Sequence, residues 1–375
     1  IKGRIGRFYR TRLNLLSAQA KKTTCAELVQ RSECTAWPSM LEYAANMTID
    51  LVRMGEPITD LSKIAEPEAN RFLVQGLVHH GSPNVFFGDG ESLKSYFALT
   101  ICLAVVTGTP LASNLIRPTE LCQPLYLDYE AHPDDAKIRW AWLCRGAGFD
   151  EPKLEHRKMF VPLHENVSYL RAEIARRDIG LVVIDSIAQA CGGEPESAAV
   201  VSRFFNAVHS LGDVTTIIIS HVSKVEADKE KGAAREFGSI FVRNFARSSW
   251  EMRRTSEAES DRVELGLFQR KVNNGRRQSP LALAFTFDNI NRNVKVSRMD
   301  VRDNADFISR TPIDYQIRVF LAKNGKSTPE EVAVGIGSTE EYIRRRMRSM
   351  GGLTLLDGGG GRGEKAVYGL ATKPG

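Results

Sequence analysis

The run Phe86-Phe87-Gly88-Asp89-Gly90-Glu91-Ser92-Leu93-Lys94-Ser95 constrains this chain more than any other part of it. Apolar residues lead into it, and an apolar helical pattern from Tyr96 to Leu103 follows. A glycine-rich loop between a strand and a helix presents consecutive backbone N–H groups in front of a helix N-terminus, a ready site for a phosphate anion. Gly88, Asp89, Gly90, Glu91, Ser92, Leu93, Lys94, Ser95 and Tyr96 then surround the anion. Lys94 reaches its terminal phosphates, and the Ser95 hydroxyl faces a divalent metal. One position departs from the usual pattern, because Leu93 stands where a glycine normally precedes the lysine. If Leu93 must take the backbone conformation that glycine supplies, affinity for the anion suffers.

Four runs at 84–87, 124–128, 181–185 and 216–220 read as strands, separated by helical patterns. That alternation is the mark of an α/β domain with a parallel sheet covered by helices, here over residues 69–300. Later runs at 263–269, 281–287 and 294–296 lack intervening helices and extend the sheet in antiparallel fashion. Leu181-Val182-Val183-Ile184 ends in Asp185, a carboxylate at the edge where open α/β sheets bind ligands, and Asp185 is the expected metal anchor. Leu125-Tyr126-Leu127-Asp128-Tyr129-Glu130 makes Glu130 the candidate base for an attacking water. Glu130 as a cap of the helix that begins near Pro133 and Asp134 is the competing reading, and Asp128 is the rival base. Thr216-Ile217-Ile218-Ile219-Ser220-His221 places His221 at a strand tip, where it senses a terminal phosphate or simply satisfies its neighbours.

In this order, the loop, Tyr126-Leu127-Asp128-Tyr129-Glu130, Val182-Val183-Ile184-Asp185-Ser186, Ile218-Ile219-Ser220-His221-Val222-Ser223-Lys224 and residues 237–248 resemble the RepA-type, AAA_25 branch of RecA-like ATPases, related to hexameric replicative helicases. The resemblance implies a RecA-like core, ATP and Mg2+, self-association into a ring or filament, single-stranded DNA as partner, and replication proteins beyond it. It also implies a basic residue that reaches the neighbouring subunit's γ-phosphate. In Phe268-Gln269-Arg270-Lys271-Val272-Asn273-Asn274-Gly275, Lys271 matches the lysine of the family's Lys-x-Arg-x-Gly pattern, while Asn273 replaces the arginine; Arg270, Arg247 and Arg253 are alternatives. Two loops are expected at a central channel. One is at 191–197, and the other follows His221 with Lys224, Lys229, Lys231 and Arg235. The implied activity is an ATP-dependent DNA motor, a helicase of a plasmid, phage or mobile element. The alternatives are a RecA- or KaiC-like ATP-switched binding or loading protein, and a transcription regulator acting through its C-terminal domain.

Flanking segments complete the expected organisation. Residues 1–68 read as a helical appendage on the periodicity of Leu41, Ala44, Ala45, Ile49 and Val52. Residues 301–312 read as a linker, and 313–375 as a winged helix–turn–helix. In the latter, Pro329 with Glu330 and Glu331 opens one helix. Ser338 is the expected N-cap of the next, with Glu341 closing a capping box. Ile343, Met347 and Met350 share its inner face, while Arg344, Arg345 and Arg348, joined by Arg362 and Lys365 on the glycine wing, form a nucleic-acid patch. Cysteines 25, 34, 102, 122, 144 and 191 form no CxxC pair, which argues against a zinc ribbon and for free thiols in a reducing cytoplasm. Ile1 to Arg12 is basic and polar without a secretory h-region, and no apolar run reaches membrane-spanning length. A start at Ile1 rather than Met leads us to expect a piece of something longer. The net charge of +6 is compatible with nucleic acid without selecting it.

Overall fold

The computed structural model describes residues 2, 3, 6, 7, 11, 13–32, 36–54, 58–65, 71–90, 92–221, 240–255, 260–273, 275–357 and 366–371. They fall into two units, Ile1–Glu68 and Ala69–Gly375. In the first, strands β1 (Lys2–Gly3) and β2 (Gly6–Arg7) pair antiparallel. Helix α1 (Ala18–Arg31) starts where the Ser17 hydroxyl accepts the Ala20 N–H, and α2 (Trp37–Met54) follows it. Leu28 and Trp37 are buried together with Cys25 against them.

The second unit runs β3 (Phe72–Val74), β4 (Val78–His79), β5 (Pro83–Gly88), α3 (Lys94–Thr107), β6 (Gln123–Asp128), α4 (Pro133–Ala147), β7 (Glu155–Lys158), α5 (Leu163–Arg177), β8 (Ile179–Asp185), α6 (Ile187–Ala190), α7 (Ala198–His209), β9 (Thr215–His221), α8 (Ile240–Phe245), β10 (Ser248–Thr255), β11 (Arg262–Val272), β12 (Leu281–Asp288) and β13 (Asn293–Met299). Among the described residues its main sheet has the order β13-β12-β11-β10-β5-β9-β8-β6-β7. From β10 to β7 all neighbours are parallel, and β11, β12 and β13 add on antiparallel. This is a RecA-like α/β architecture with an antiparallel extension.

Period-two alternation explains why the sheet is covered on both faces. Leu181, Val183, Ile217 and Ile219 enter one core with α3 and α4; Val182, Ile184 and Ile218 enter the other with α5 and α7. Helix α3 is apolar from Phe97 to Val105 except for Thr100, whose hydroxyl donates to the Tyr96 carbonyl, and it is buried on every side accordingly. Helix α4 lies so close to β13 that a Cβ on Gly146 would meet the Val294 carbonyl oxygen at 1.9 Å. No described helix is long and apolar enough to cross a membrane.

Two strands of the main sheet escaped the sequence reading because they are charged. Strand β7 carries Glu155-His156-Arg157-Lys158 on the outer edge. Strand β10 carries Glu251 and Arg253, yet it lies between β5 and β11 in the sheet interior. Glu251 is wholly buried, and it is tolerated because two guanidinium groups neutralise it. Arg253 Nε lies 2.5 Å from Glu251 Oε1, and Arg270 Nε lies 2.6 Å from Oε2.

Residues 301–312, expected as a linker, are instead folded, with a 3-10 turn at Val301–Asp303 and helix α9 (Ala305–Ser309). The reason is apolar anchoring, since Val301 and Phe307 bury against Phe268 and Ala282. Helices α10 (Ile313–Asn324), α11 (Pro329–Ile336) and α12 (Glu340–Ser349) follow, then the antiparallel pair β14 (Leu353–Asp357) and β15 (Val367–Leu370). A reciprocal Thr328–Glu331 capping box opens α11. The expected cap of α12 is corrected. Thr339, not Ser338, is its N-cap and makes no side-chain bond, because the Ser338 N–H closes α11 on the Ala333 carbonyl at 2.9 Å. Ile343, Met347 and Met350 do face inward.

The Glu251 pairing yields a stability expectation. Glu251→Ala leaves the buried Arg253 with Asp89 as its one remaining carboxylate and the half-buried Arg270 without this partner, and should lower the unfolding free energy by about 3 kcal/mol in urea titration. A loss of less than about 1 kcal/mol would show that the arginines find other partners.

Candidate nucleotide site

The parallel strands β5, β6, β8 and β9 deliver their C-terminal ends to one edge, and four loops from the sequence reading meet there. Strand β5 ends at Gly88, pressed against β10 so closely that a Cβ would approach the Met252 carbonyl oxygen to 2.3 Å. Only glycine fits. Leu93, which precedes α3, has φ 57 and ψ 21, so it does occupy the left-handed region that glycine would supply. For a residue with a Cβ that conformation costs about 1–2 kcal/mol. Arg253, held by Glu251, reaches across with Nη1 2.9 Å from Asp89 Oδ2 and ties the loop to β10.

Lys94 is buried at 5% exposure, and its ammonium donates to the carbonyls of Gly88 (3.1 Å) and Asp89 (2.7 Å) and to Ser92 Oγ (3.1 Å). Burial pulls its pKa down to about 8, while the charges of Asp185, Glu130 and Asp89 oppose that fall. The Ser95 hydroxyl donates to Asp185 Oδ2 at 2.7 Å, and the buried Tyr126 hydroxyl donates to the same oxygen at 2.5 Å. Burial raises the Asp185 pKa; those two hydroxyls counter it, and Glu130 and Asp128 add to it.

Glu130 Oε1 accepts the Ser186 hydroxyl and lies 3.1 Å from His221 Nε2. The hydrogen bond from His221 leads in holding the Glu130 pKa down to about 2; burial opposes it, and Ser186 and Lys94 assist. The helix-cap reading of Glu130 is thereby set aside, because His132 is the N-cap of α4. The rival base Asp128 is turned into its own backbone, with Oδ1 accepting the N–H groups of Glu130 and Ala131.

A cavity of about 500 Å³ joins Leu93, Lys94, Ser95, Tyr96, Glu130, Asp185 and His221. It is also lined by Asp135, Arg139 and Arg254, which the sequence reading did not single out. Arg139 lies over the Tyr96 ring, 5.9 Å from its centroid, and the only hint of it in the sequence is its place early in a helix after Glu130. Arg254 came to light only with β10.

Other candidates are placed elsewhere. Lys271, matched to the family's trans-acting lysine, is bonded within its own chain. The register sets it opposite Ser249, toward the end of β10 away from the loop, and its ammonium donates to the carbonyls of Arg243 (2.7 Å), Asn244 (2.8 Å) and Ala246 (2.8 Å), closing the end of α8. Arg253 and Arg270 are committed to Glu251, and Arg247 is exposed at the start of β10. The expected channel loop at 191–197 links α6 to α7 and holds no basic residue. Arg344 pairs with Glu340, Arg345 lies over Tyr342, and both, like Arg348, are exposed on α12. Glu91, Lys224, Lys229, Lys231, Arg235, Arg362 and Lys365 lie outside the described residues.

The depressed Lys94 pKa has a measurable consequence. Below about pH 8 the amine is charged; above it the neutral amine attracts no phosphate. A bound polyanion favours the charged form and raises the pKa, so binding takes up protons near that pH. Affinity for ADP should therefore fall by up to about tenfold per pH unit above about pH 8. Titration calorimetry in buffers of different ionisation enthalpy should reveal the proton uptake. Affinity that stays flat up to about pH 9.5 would contradict the assignment of Lys94 as the phosphate ligand.

Residues 54–227 match the family model of the AAA domain designated AAA_25. No curated protein matches the chain. Among solved structures, a KaiC-like protein from the hyperthermophilic archaeon Pyrococcus horikoshii OT3 is 14% identical, with a TM-score of 0.41, over 62% of this chain and 99% of that one. Residues 54–227 are thus similar to the AAA_25 domain, and within that span the glycine-rich loop, the strand that ends in Asp185 and the strand that leads to Glu130 meet at one sheet edge.

Proposed function

We propose that the chain hydrolyses ATP at the edge of β5, β6, β8 and β9 and couples that cycle to single-stranded DNA. The observation that carries the proposal is the convergence of Lys94, Ser95, Asp185 and Glu130 on one cavity. In this reading phosphate oxygens replace the loop carbonyls that Lys94 now bonds, and the ammonium offsets their charge. The Ser95 hydroxyl and the Asp185 carboxylate, in mutual contact, are hard oxygen donors that fit Mg2+, which when bound supplies neutralisation of the phosphates. Glu130 orients a water and takes its proton as the water oxygen adds to the γ-phosphorus. The β–γ bridging oxygen leaves with the bonding pair, giving ADP and phosphate. His221 touches the same carboxylate, and in this reading it senses the γ-phosphate.

Coupling to DNA is supported by the exposed Arg344, Arg345 and Arg348 on α12, read as the recognition helix of a winged helix–turn–helix. Assembly into a ring and movement along a strand, the helicase reading, follow from the resemblance noted above. The second reading is an ATP-switched DNA-binding or loading protein that does not unwind. Leu93 in a left-handed conformation and Glu130 already bonded to His221 and Ser186 favour it, because both features suit slow turnover.

Phosphate release should rise on addition of single-stranded DNA and vanish in Lys94→Ala. Glu130→Gln should lower turnover by about 10²–10⁴-fold while nucleotide still binds. Turnover indifferent to DNA would remove the coupling, and full turnover in Lys94→Ala would remove the ATPase assignment. A strand-displacement assay separates the readings, since ATP-dependent unwinding marks a motor and binding without unwinding marks a switch. Replacing Arg344, Arg345 and Arg348 with Ala should flatten the salt dependence of DNA binding by roughly one unit of slope for each phosphate that is no longer neutralised.

A further inference from the structure

Asp128 and Glu130 sit two residues apart at the end of β6, but only Glu130 faces the cavity. Asp128 is 2% exposed, and its Oδ1 accepts two successive backbone N–H groups, from Glu130 at 2.9 Å and Ala131 at 2.8 Å. The turn between them is held from its other sides as well. The Tyr129 N–H donates to the Asp185 carbonyl at 2.7 Å, the Met159 N–H donates to the Asp128 carbonyl at 2.8 Å, and Lys158 Nζ donates to the Ala131 carbonyl at 2.8 Å. His156 Nε2 stands 3.5 Å from Asp128 Oδ2, and its ring stacks on Tyr126, whose hydroxyl bonds Asp185.

We infer that Asp128 is the positioning residue of the site, its carboxylate fixing the turn that aims Glu130 at the attacking water without itself meeting the nucleotide. The inference rests on the reading of Glu130 as the base. An aspartate that accepts nearby N–H groups often only terminates a strand. Here one of those N–H groups belongs to Glu130 itself, so the bond acts directly on the backbone that carries the base. Burial pushes the Asp128 pKa up, but His156, the two N–H groups and Lys158 outweigh it and keep the carboxylate ionised. An ionised acceptor makes the stronger bond to each N–H. A shift of about 1 Å in a reacting group costs on the order of 10²-fold in rate, which sets the scale of the effect.

The test uses the full chain, ATP turnover and binding of fluorescent ADP. Asp128→Ala should lower kcat by about 10- to 100-fold with ADP affinity unchanged within about twofold. Asp128→Asn, which keeps an oxygen acceptor, should recover most of that loss. The decisive measurement is the double variant, because a residue that acts only through Glu130 adds nothing once Glu130→Gln has removed the base. The inference is overturned if Asp128→Ala turns over at the wild-type rate. It is equally overturned if that change slows Glu130→Gln by its own full factor, or weakens ADP binding in step with turnover. Full turnover in Glu130→Gln is a different result, which removes the base assignment and the positioning role with it. Should Asp128→Ala fail to fold by circular dichroism, Asp128→Ser, whose hydroxyl is too short to span both N–H groups, takes its place with the same outcomes.

Discussion

The buried ammonium of Lys94 governs how this site is built. A cation held at 5% exposure needs acceptors, and the loop provides them by curling its own Gly88 and Asp89 carbonyls and the Ser92 hydroxyl around it. That curl leaves Leu93 in the left-handed region immediately before the helix, and it brings the Gly88 backbone against Met252 of β10. Strand β10 is thus required beside β5 for more than its hydrogen bonds. It also sends Arg253 to Asp89, and Arg253 can lie buried there only because Glu251, itself enclosed, shares its charge with Arg270. The loop that wraps one ammonium is thus continuous, through Gly88 and Asp89, with the neighbouring strand and its buried ion network.

The parallel strands were legible because burial on both faces leaves no polar position in their middle, as Leu181-Val182-Val183-Ile184 and Ile217-Ile218-Ile219 show. Strand β10 was not, because Glu251 and Arg253 read as surface residues until Arg270, on another strand, is known to face them. The loop, Asp185 and Glu130 were legible from type and spacing alone. The partners that set their behaviour were not, since Tyr126 on Asp185 and Ser186 on Glu130 are 59 and 56 residues away in the chain. Lys271 marks the same limit from the other side. Its motif position suggested a projecting cation, but the carbonyls that absorb all three of its donors lie some 25–28 residues earlier, around a helix end. At 338–341 a cap was expected one residue early, because nothing local reveals that the Ser338 N–H is already spent on the preceding helix.

Within the cavity each group that would act on a nucleotide already has an internal partner. Lys94 bonds loop oxygens, Ser95 bonds Asp185, and Glu130 bonds Ser186 and His221. A nucleotide must replace these contacts, so only the difference between old and new partners contributes to binding. The same holds for catalysis. A carboxylate with its pKa held down to about 2 by His221 and Ser186 is a feeble base, and it becomes a stronger one as those donors turn elsewhere. His221 is the donor with a reason to turn, because a γ-phosphate offers it a more highly charged acceptor. In that proposed reading, phosphate arrival and activation of the base would be linked through one imidazole, and the strain at Leu93 would bear on the affinity of the same phosphate. Under the proposed function, a resting site satisfied by its own side chains would stay slow until a terminal phosphate redirected the contacts that hold it.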